Sequence, residues 1–157
     1  MKQTFIIEGN PRGQGRPKAT IRGRHASVYE AKEDTMYKEN LAAQVVAQRP
    51  HFIPADVPVE LEVSCFLLRP KYHYGAKGLK PRFEDVRPLG TPDVDNLGKA
   101  VMDSLNGIVW HDDSQIVRVV TEKHYADTRP HIVIEVRCPT KAVKSSPLGK
   151  GEQTRRR

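Results

Sequence analysis

Apolar positions along the chain fall into four strand-like runs and two helix-like stripes, separated by two long segments that follow neither period. The opening TFIIEG is a short apolar run ended by Gly9, Asn10 and Pro11, which predicts a first strand and a turn. In VPVELEVSCFLLRP the residues alternate. Val57, Val59, Leu61, Val63, Cys65 and Leu67 share one side while Glu60, Glu62 and Ser64 share the other, the pattern of a half-buried strand. QIVRVVTEKHYA and HIVIEVRCP read as two further strands, the second with Ile132, Ile134 and Val136 on one face and Val133 on the other; the DTRP turn predicts that these two pair. The first helix is expected over about Lys32 to Gln48, where Met36, Leu41, Ala42, Val45 and Val46 approximate one helical face.

A second helix follows from TPDVDNLGKAVMDSLNG. Thr91 as N-cap with Pro92 in the first helical position is the leading start signal, and Asp93 as cap is the alternative. Val94, Leu97, Ala100, Val101, Ser104 and Leu105 then form a buried stripe, and Asn106-Gly107 ends the helix. After the short run GIVW, Trp110 is expected to anchor a turn in the core, with the chain returning toward the helix start. Two stretches lack a period: Asn10 to Val28, read as an exposed and mobile basic loop, and Lys71 to Gly90. The tail from 139 to 157 is polar and basic, the composition of a disordered segment, so residues 1–138 are expected to form one domain.

Charge narrows the class of partner. With 26 Lys+Arg against 19 Asp+Glu the chain carries +7, and the excess is concentrated in the unpatterned segments. Arg12, Arg16, Lys18, Arg22 and Arg24 lie in the first, and Lys71, Lys77, Lys80, Arg82 and Arg87 in the second, as expected for loops that touch a phosphate backbone. Tyr72 and Tyr74, interleaved in the second, are candidates for stacking on unpaired bases or for packing against the body. No run reaches the roughly 20 apolar residues of a membrane span and the N-terminus lacks a signal-peptide pattern, which predicts a cytoplasmic protein without a membrane partner. Cys65 and Cys138 are not paired as C-x-x-C and read as small buried hydrophobes rather than zinc ligands.

The stretch DVDNLGKAVMDSLNGIVWHDDSQI carries the chemistry. Acidic residues at a helix start suit the macrodipole, and Asp95 to Lys99 is an i,i+4 ion-pair spacing, so a structural reading covers the helix by itself. It does not reach Asp112 and Asp113. A cluster of Asp93, Asp95 and one of that pair would repel itself unless a cation sat among them, and oxygen-only ligands select Mg²⁺ or Mn²⁺. An EF-hand fails because Leu97 and Ser104 stand where ligands are needed. His111 lies beside the acidic pair, with a structural role at least as well supported as a phosphate contact.

D-x-D-N-x-x-K, an apolar helix and W-x-D-D-x-Q, preceded by the basic GRPK, resemble the RusA family of Holliday-junction resolvases. The resemblance is strong over Thr91 to Val120 and looser over the N-terminal strand, loop and helix. It implies an α/β chain of α+β type, with a small mixed sheet of about four strands and two main helices, acting as a homodimer. It further implies symmetric, Mg²⁺-dependent (or Mn²⁺-dependent) nicking of four-way DNA junctions. By the family pattern the metal-binding carboxylates are Asp93, Asp95 and Asp113, and Lys99 completes the catalytic set; on the residues alone Asp112 either orients the site or binds metal in place of Asp113. Physically, carboxylate-held Mg²⁺ lowers the pKa of water and polarises the phosphate, while a lysine one turn beyond Asp95 stabilises developing charge. Two other functions compete. One is a non-catalytic phage DNA-binding protein whose acidic cluster caps a helix, and the other a metal-dependent phosphatase.

Overall fold

The computed structural model describes residues 1–15, 18–22, 25–29 and 31–139, with side chains described for 1–15 and 31–139. Its main sheet contains β1 (Lys2–Glu8), β4 (Val59–Leu67), β7 (Ile116–Tyr125) and β8 (His131–Arg137), in the order β1-β8-β4-β7. β8 pairs antiparallel with both β1 and β4, whereas β4 and β7 are parallel. The fold is therefore the expected mixed α+β sheet of four strands with two helices, α1 (Lys32–Ala47) and α2 (Val94–Leu105).

Strand alternation sorts the faces. Val59, Leu61, Val63 and Cys65 of β4, Ile132, Ile134 and Val136 of β8, and Phe5 and Ile7 of β1 are buried. Leu41 and Val45 of α1 join Leu97, Val101 and Leu105 of α2 in the same core, with Trp110 fully enclosed as expected. Burial lifts the Cys65 thiol to a pKa of about 12, which leaves it an inert packing group. On the opposite face Glu62 takes Arg118 and Arg137, and Glu135 takes Lys2 and Arg137. Met36 and Val46 of α1 are exposed, so the apolar stripe of that helix is narrower than its sequence suggests.

Three expectations about connections change. β7 and β8 do not pair across the DTRP turn, because β4 lies between them. A connection that steps over a central strand looks in sequence like a hairpin turn. The Asn10 to Val28 segment contains a two-stranded antiparallel hairpin, β2 (Lys18–Arg22) with β3 (His25–Tyr29), rather than loop alone. Among the described residues these strands pair with each other alone, and their alternations, Ala19 with Ile21 and Ala26 with Val28, are too short to stand out in a basic stretch. Lys71 to Gly90 is also organised, with turns at Lys71–His73 and Pro81–Phe83 and a short hairpin of β5 (Tyr74–Gly75) with β6 (Gly78–Leu79). His73 is 1% exposed and stacks on Phe83 at 4.0 Å, while Arg69 donates to the Phe83 carbonyl at 2.7 Å.

Candidate functional site

The parallel pairing of β4 and β7 sets the direction of α2. Leu67 lies opposite Tyr125 at one end of the pair and Val59 opposite Ile116 at the other, so the intervening helix runs back from the first end to the second. Asp93 is the N-cap of α2, and its carbonyl accepts the first helical bond from Leu97 N–H at 3.1 Å. The alternative start signal thus holds, with Thr91 and Pro92 outside the helix. Asp93 makes no side-chain capping bond. Asp93, Asp95 and Lys99 are all exposed, and among the described residues no ion pair joins Asp95 to Lys99. Val94, expected in the buried stripe, is 41% exposed in this open first turn.

The helix start is held from both sides. From β7, Lys123 Nζ donates to the carbonyls of Gly90 at 2.7 Å and Pro92 at 3.0 Å. One turn into the helix Gly98 meets β7 so closely that a Cβ there would lie 2.5 Å from Thr121 Oγ1. From the N-terminal segment, Gln14 N–H donates to the Asn96 carbonyl at 3.0 Å, and a Cβ on Gly13 would lie 3.1 Å from Asn96 Cβ. Asp34 of α1, 4% exposed, fixes that segment in turn. Its carboxylate accepts from Arg12 at 2.7 and 2.8 Å and from Gly15 N–H at 3.2 Å. Tyr37 Oη accepts from Arg12 N–H at 3.1 Å, and burial raises the phenol's pKa. Between the two walls lies an open cleft of about 590 Å³, lined among others by Asn10, Arg12, Tyr37, Asp93 and Asn96.

Asp112 and Asp113 stand at the other end. Gly107 N–H donates to the Trp110 carbonyl at 2.8 Å, which ties the turn to the C-terminus of α2, and Trp110 Nε1 donates to Asp113 Oδ1 at 3.0 Å. Asp112 caps the one-turn helix Asp113–Gln115. It accepts from Ser114 N–H at 2.9 Å, and its hydrogen bonding with Ser114 draws its pKa down. Gln115 locks the turn to the body through the carbonyls of Pro54 and Val57. Two rulers give the separation. α2 is 12 residues, about 18 Å at roughly 1.5 Å per residue. β7 leads from Ile116, just after the Asp113–Gln115 turn, to Lys123, about 23 Å at roughly 3.3 Å per residue. The chain therefore does not return toward the helix start after GIVW, because a parallel crossover delivers it to the far edge of the sheet.

This geometry decides how the expected metal ligands stand in one chain. Asp93 and Asp95 share the open end of α2, Asp113 lies beyond its other end, and among the described residues no group of three or more His, Cys, Asp and Glu forms a metal-holding cluster. The oxygen donor set of these aspartates suits a hard divalent cation.

The basic residues divide. Lys71 and Lys77 are exposed, as phosphate contacts must be. Arg12 is committed to Asp34, Lys80 to the Tyr72 carbonyl at 2.8 Å, and Arg87 to the Lys123 carbonyl at 3.0 Å and to the His124 ring. Tyr72 packs edge-on against His73 and Phe83. Arg16 and Arg24 and the side chains of Lys18 and Arg22 lie outside the described residues, as does the tail beyond 139.

The family model described as "Endodeoxyribonuclease RusA" matches residues 8–137, the span that contains both acidic motifs, both helices and three of the four strands of the main sheet. The chain belongs to the RusA endodeoxyribonuclease family. It is also similar to the uncharacterized protein YqaN of Bacillus subtilis (strain 168), with 32% identity over 135 residues, covering 85% of this chain and 94% of that protein. As a RusA-family chain it is of the endodeoxyribonuclease class, and among the described residues no helix is long and apolar enough to cross a membrane. Asp34 and Lys123 escaped the sequence reading. Asp34 sits in an ordinary acidic first turn of a helix, and Lys123 in a strand whose alternation gives no reason to single out one lysine.

Proposed function

We propose that the chain is a Mg²⁺-dependent endonuclease that resolves four-way DNA junctions by paired symmetric nicks, acts as a homodimer in the cytoplasm, and uses Asp93, Asp95, Asp113 and Lys99. The observation that carries this reading is the state of Asp93: it occupies the N-cap position yet leaves its carboxylate uncommitted, beside an exposed Asp95 and Lys99 and an open cleft. A structural acid at that position would bond the N–H groups of the first turn. This argues against the alternative in which the acidic motif serves as a helix cap.

The distance between the two halves of the motif supports homodimerism. If Asp93, Asp95 and Asp113 serve one metal site, Asp113 comes from a second chain, since the length of α2 separates it from the others within one. A two-fold axis then generates two equal sites, the number that paired nicks require. Lys99, one turn past Asp95, faces a phosphate held at the helix start and stabilises charge developing on it. Exposed Lys71 and Lys77, and the basic residues 16 to 24, hold the flanking backbones. Residues 1–138 carry this activity, and the 139–157 tail adds salt-sensitive, sequence-independent attraction to DNA.

The test is cleavage of a synthetic four-way junction against linear duplex of the same sequence, with Mg²⁺ or EDTA. Metal-dependent paired nicks on the junction alone, lost in Asp93→Asn while junction binding persists, support the reading. Junction binding without cleavage by the wild type returns the architectural alternative.

A further inference from the structure

We infer that Lys123 is a positioning residue for the cleavage site: its ammonium tethers the Gly90–Pro92 segment and so sets where Asp93 and Asp95 stand relative to the strand that follows Asp113. The inference rests on the nuclease reading for its catalytic consequence and on geometry alone for the tether.

Lys123 lies near the end of β7, half-buried, in a protein whose other exposed lysines invite a phosphate-binding reading. Its donors are spent differently. Two of the three N–H groups are taken by the carbonyls of Gly90 and Pro92, at 2.7 and 3.0 Å, on either side of Thr91. Pro92 is bonded directly to Asp93, so a shift of its carbonyl is a shift of the N-cap. A cation beside the positive end of a helix macrodipole is unfavourably placed, and the carbonyl bonds are what make the position tenable.

Among the described residues Lys123 supplies the side-chain hydrogen bonds to this segment, beside the packing of Gly13, where a Cβ would lie 3.2 Å from Pro92 Cβ. Gly90 adopts a φ of 77°, a conformation in the left-handed region that glycine tolerates, and Leu89 and Thr91 are exposed. The contact with Thr121 begins only at Gly98, one turn into the helix. Thr121 and Lys123 lie two residues apart and hence on one face of β7, so this strand supplies two of the supports of α2, opposite the N-terminal segment. Arg87 extends the seam by donating to the carbonyl of Lys123 itself. The strand that starts just after Asp113 thereby fixes the helix that starts with Asp93, which makes Lys123 the link that transmits the register of one motif half to the other.

The test compares wild type with Lys123→Met, which keeps the apolar stem and removes the donors, and with Lys123→Gln in case the first does not fold. The inference expects kcat on the four-way junction in Mg²⁺ to fall by about 10- to 100-fold, the scale of a small misplacement at a reacting centre. It expects junction affinity in EDTA to stay within about twofold, since no phosphate contact is lost. Amide exchange should quicken at Leu97, whose N–H bonds the Asp93 carbonyl, and at Gly98 and Lys99 in the same turn, and stay unchanged at Met102 to Leu105. An unchanged kcat with unchanged exchange overturns the inference. So does weakened junction binding with a shallower salt dependence, which would make Lys123 a phosphate contact, or faster exchange along the whole of α2, which would make it a general stability residue. If the wild type cleaves no junction, the nuclease reading falls, and the exchange pattern still decides the tether.

Discussion

Trp110 holds Asp113 in place: the indole Nε1 donates to the carboxylate Oδ1 at 3.0 Å from a ring with no exposed surface. A buried donor aimed at a half-exposed acid fixes one of its oxygens and leaves the other open. Trp110→Phe keeps most of the packing and removes the donor. Loss of volume in a closed core is expected to cost about 1–3 kcal/mol of stability. Junction cleavage is expected to drop further than that stability loss explains, checked by denaturant unfolding beside single-turnover cleavage at a temperature where the variant is fully folded.

Gly98 permits α2 to lie on β7. An added Cβ would stand 2.5 Å from Thr121 Oγ1 and within ordinary contact of Thr121 Cβ and Cγ2 at 3.6 and 3.7 Å. In an open helix Gly→Ala would stabilise by up to about 1 kcal/mol. Overpacking here costs about 1–3 kcal/mol, so Gly98→Ala is expected to be net destabilising. Adding Thr121→Ala removes the obstructing Oγ1 and should restore the loss, a reversal that a double-mutant cycle of unfolding free energies would reveal.

Asp34 is the hidden anchor of the basic N-terminal loop. Asp34→Ala leaves the Arg12 guanidinium and the Gly15 N–H without their acceptor. Because Arg12 is about half exposed, the cost is nearer 1–2 kcal/mol than that of a fully buried pair. The functional effect should exceed this: the segment that leads to Arg16 and Lys18 loses its root, so junction affinity falls, and kcat falls less because Lys123 and the Gly98–Thr121 contact still hold α2. Filter-binding affinity measured beside kcat at saturating protein separates the two.

His73 gives the loop after β4 a pH dependence. Its ring is enclosed, its Nδ1 is buried without a partner, and burial followed by Arg69, Lys80 and Arg82 holds its pKa below the usual 6.5. The folded state therefore disfavours the proton. The contribution is complete above pH 6.5 and is lost as pH falls through the lower folded value, because the unfolded chain takes up the proton first. Proteolysis of the 71–90 segment should accelerate as pH is lowered through this window, and His73→Phe should flatten the response. A wild-type cleavage rate that does not change with pH would contradict the assignment.

Much of this arrangement was legible in the residues, and the gaps have physical causes. Alternation at Val59, Leu61, Val63 and Cys65, and at Ile132, Ile134 and Val136, marks core faces because a strand's period is local. Asn106-Gly107 marked the end of α2 because a helix stop is local as well. Strand order is not local: nothing in DTRP says that β4 intervenes between β7 and β8. Direction is equally silent. D-x-D and W-x-D-D, separated by an apolar helix, suggest one cluster, and only the parallel pairing of β4 with β7 shows that the helix spans the gap instead of closing it. Lys123 and Asp34 were invisible because their partners are backbone groups and a loop arginine far away in sequence.

The most direct test of the account mixes two inactive proteins. Asp93→Asn and Asp113→Asn chains, each unable to cut a four-way junction alone, are unfolded, combined and refolded so that mixed dimers form. If Asp113 serves the partner's Asp93 and Asp95, each mixed dimer holds one site with both acids intact and one with neither, so Mg²⁺-dependent nicking of a single strand returns. Tight Mn²⁺ binding should return with it, to about one site per mixed dimer. If the mixture stays as inactive as its components while wild-type chains treated the same way cut normally, the site is not shared between chains, and the account of how the two halves of the motif meet is wrong.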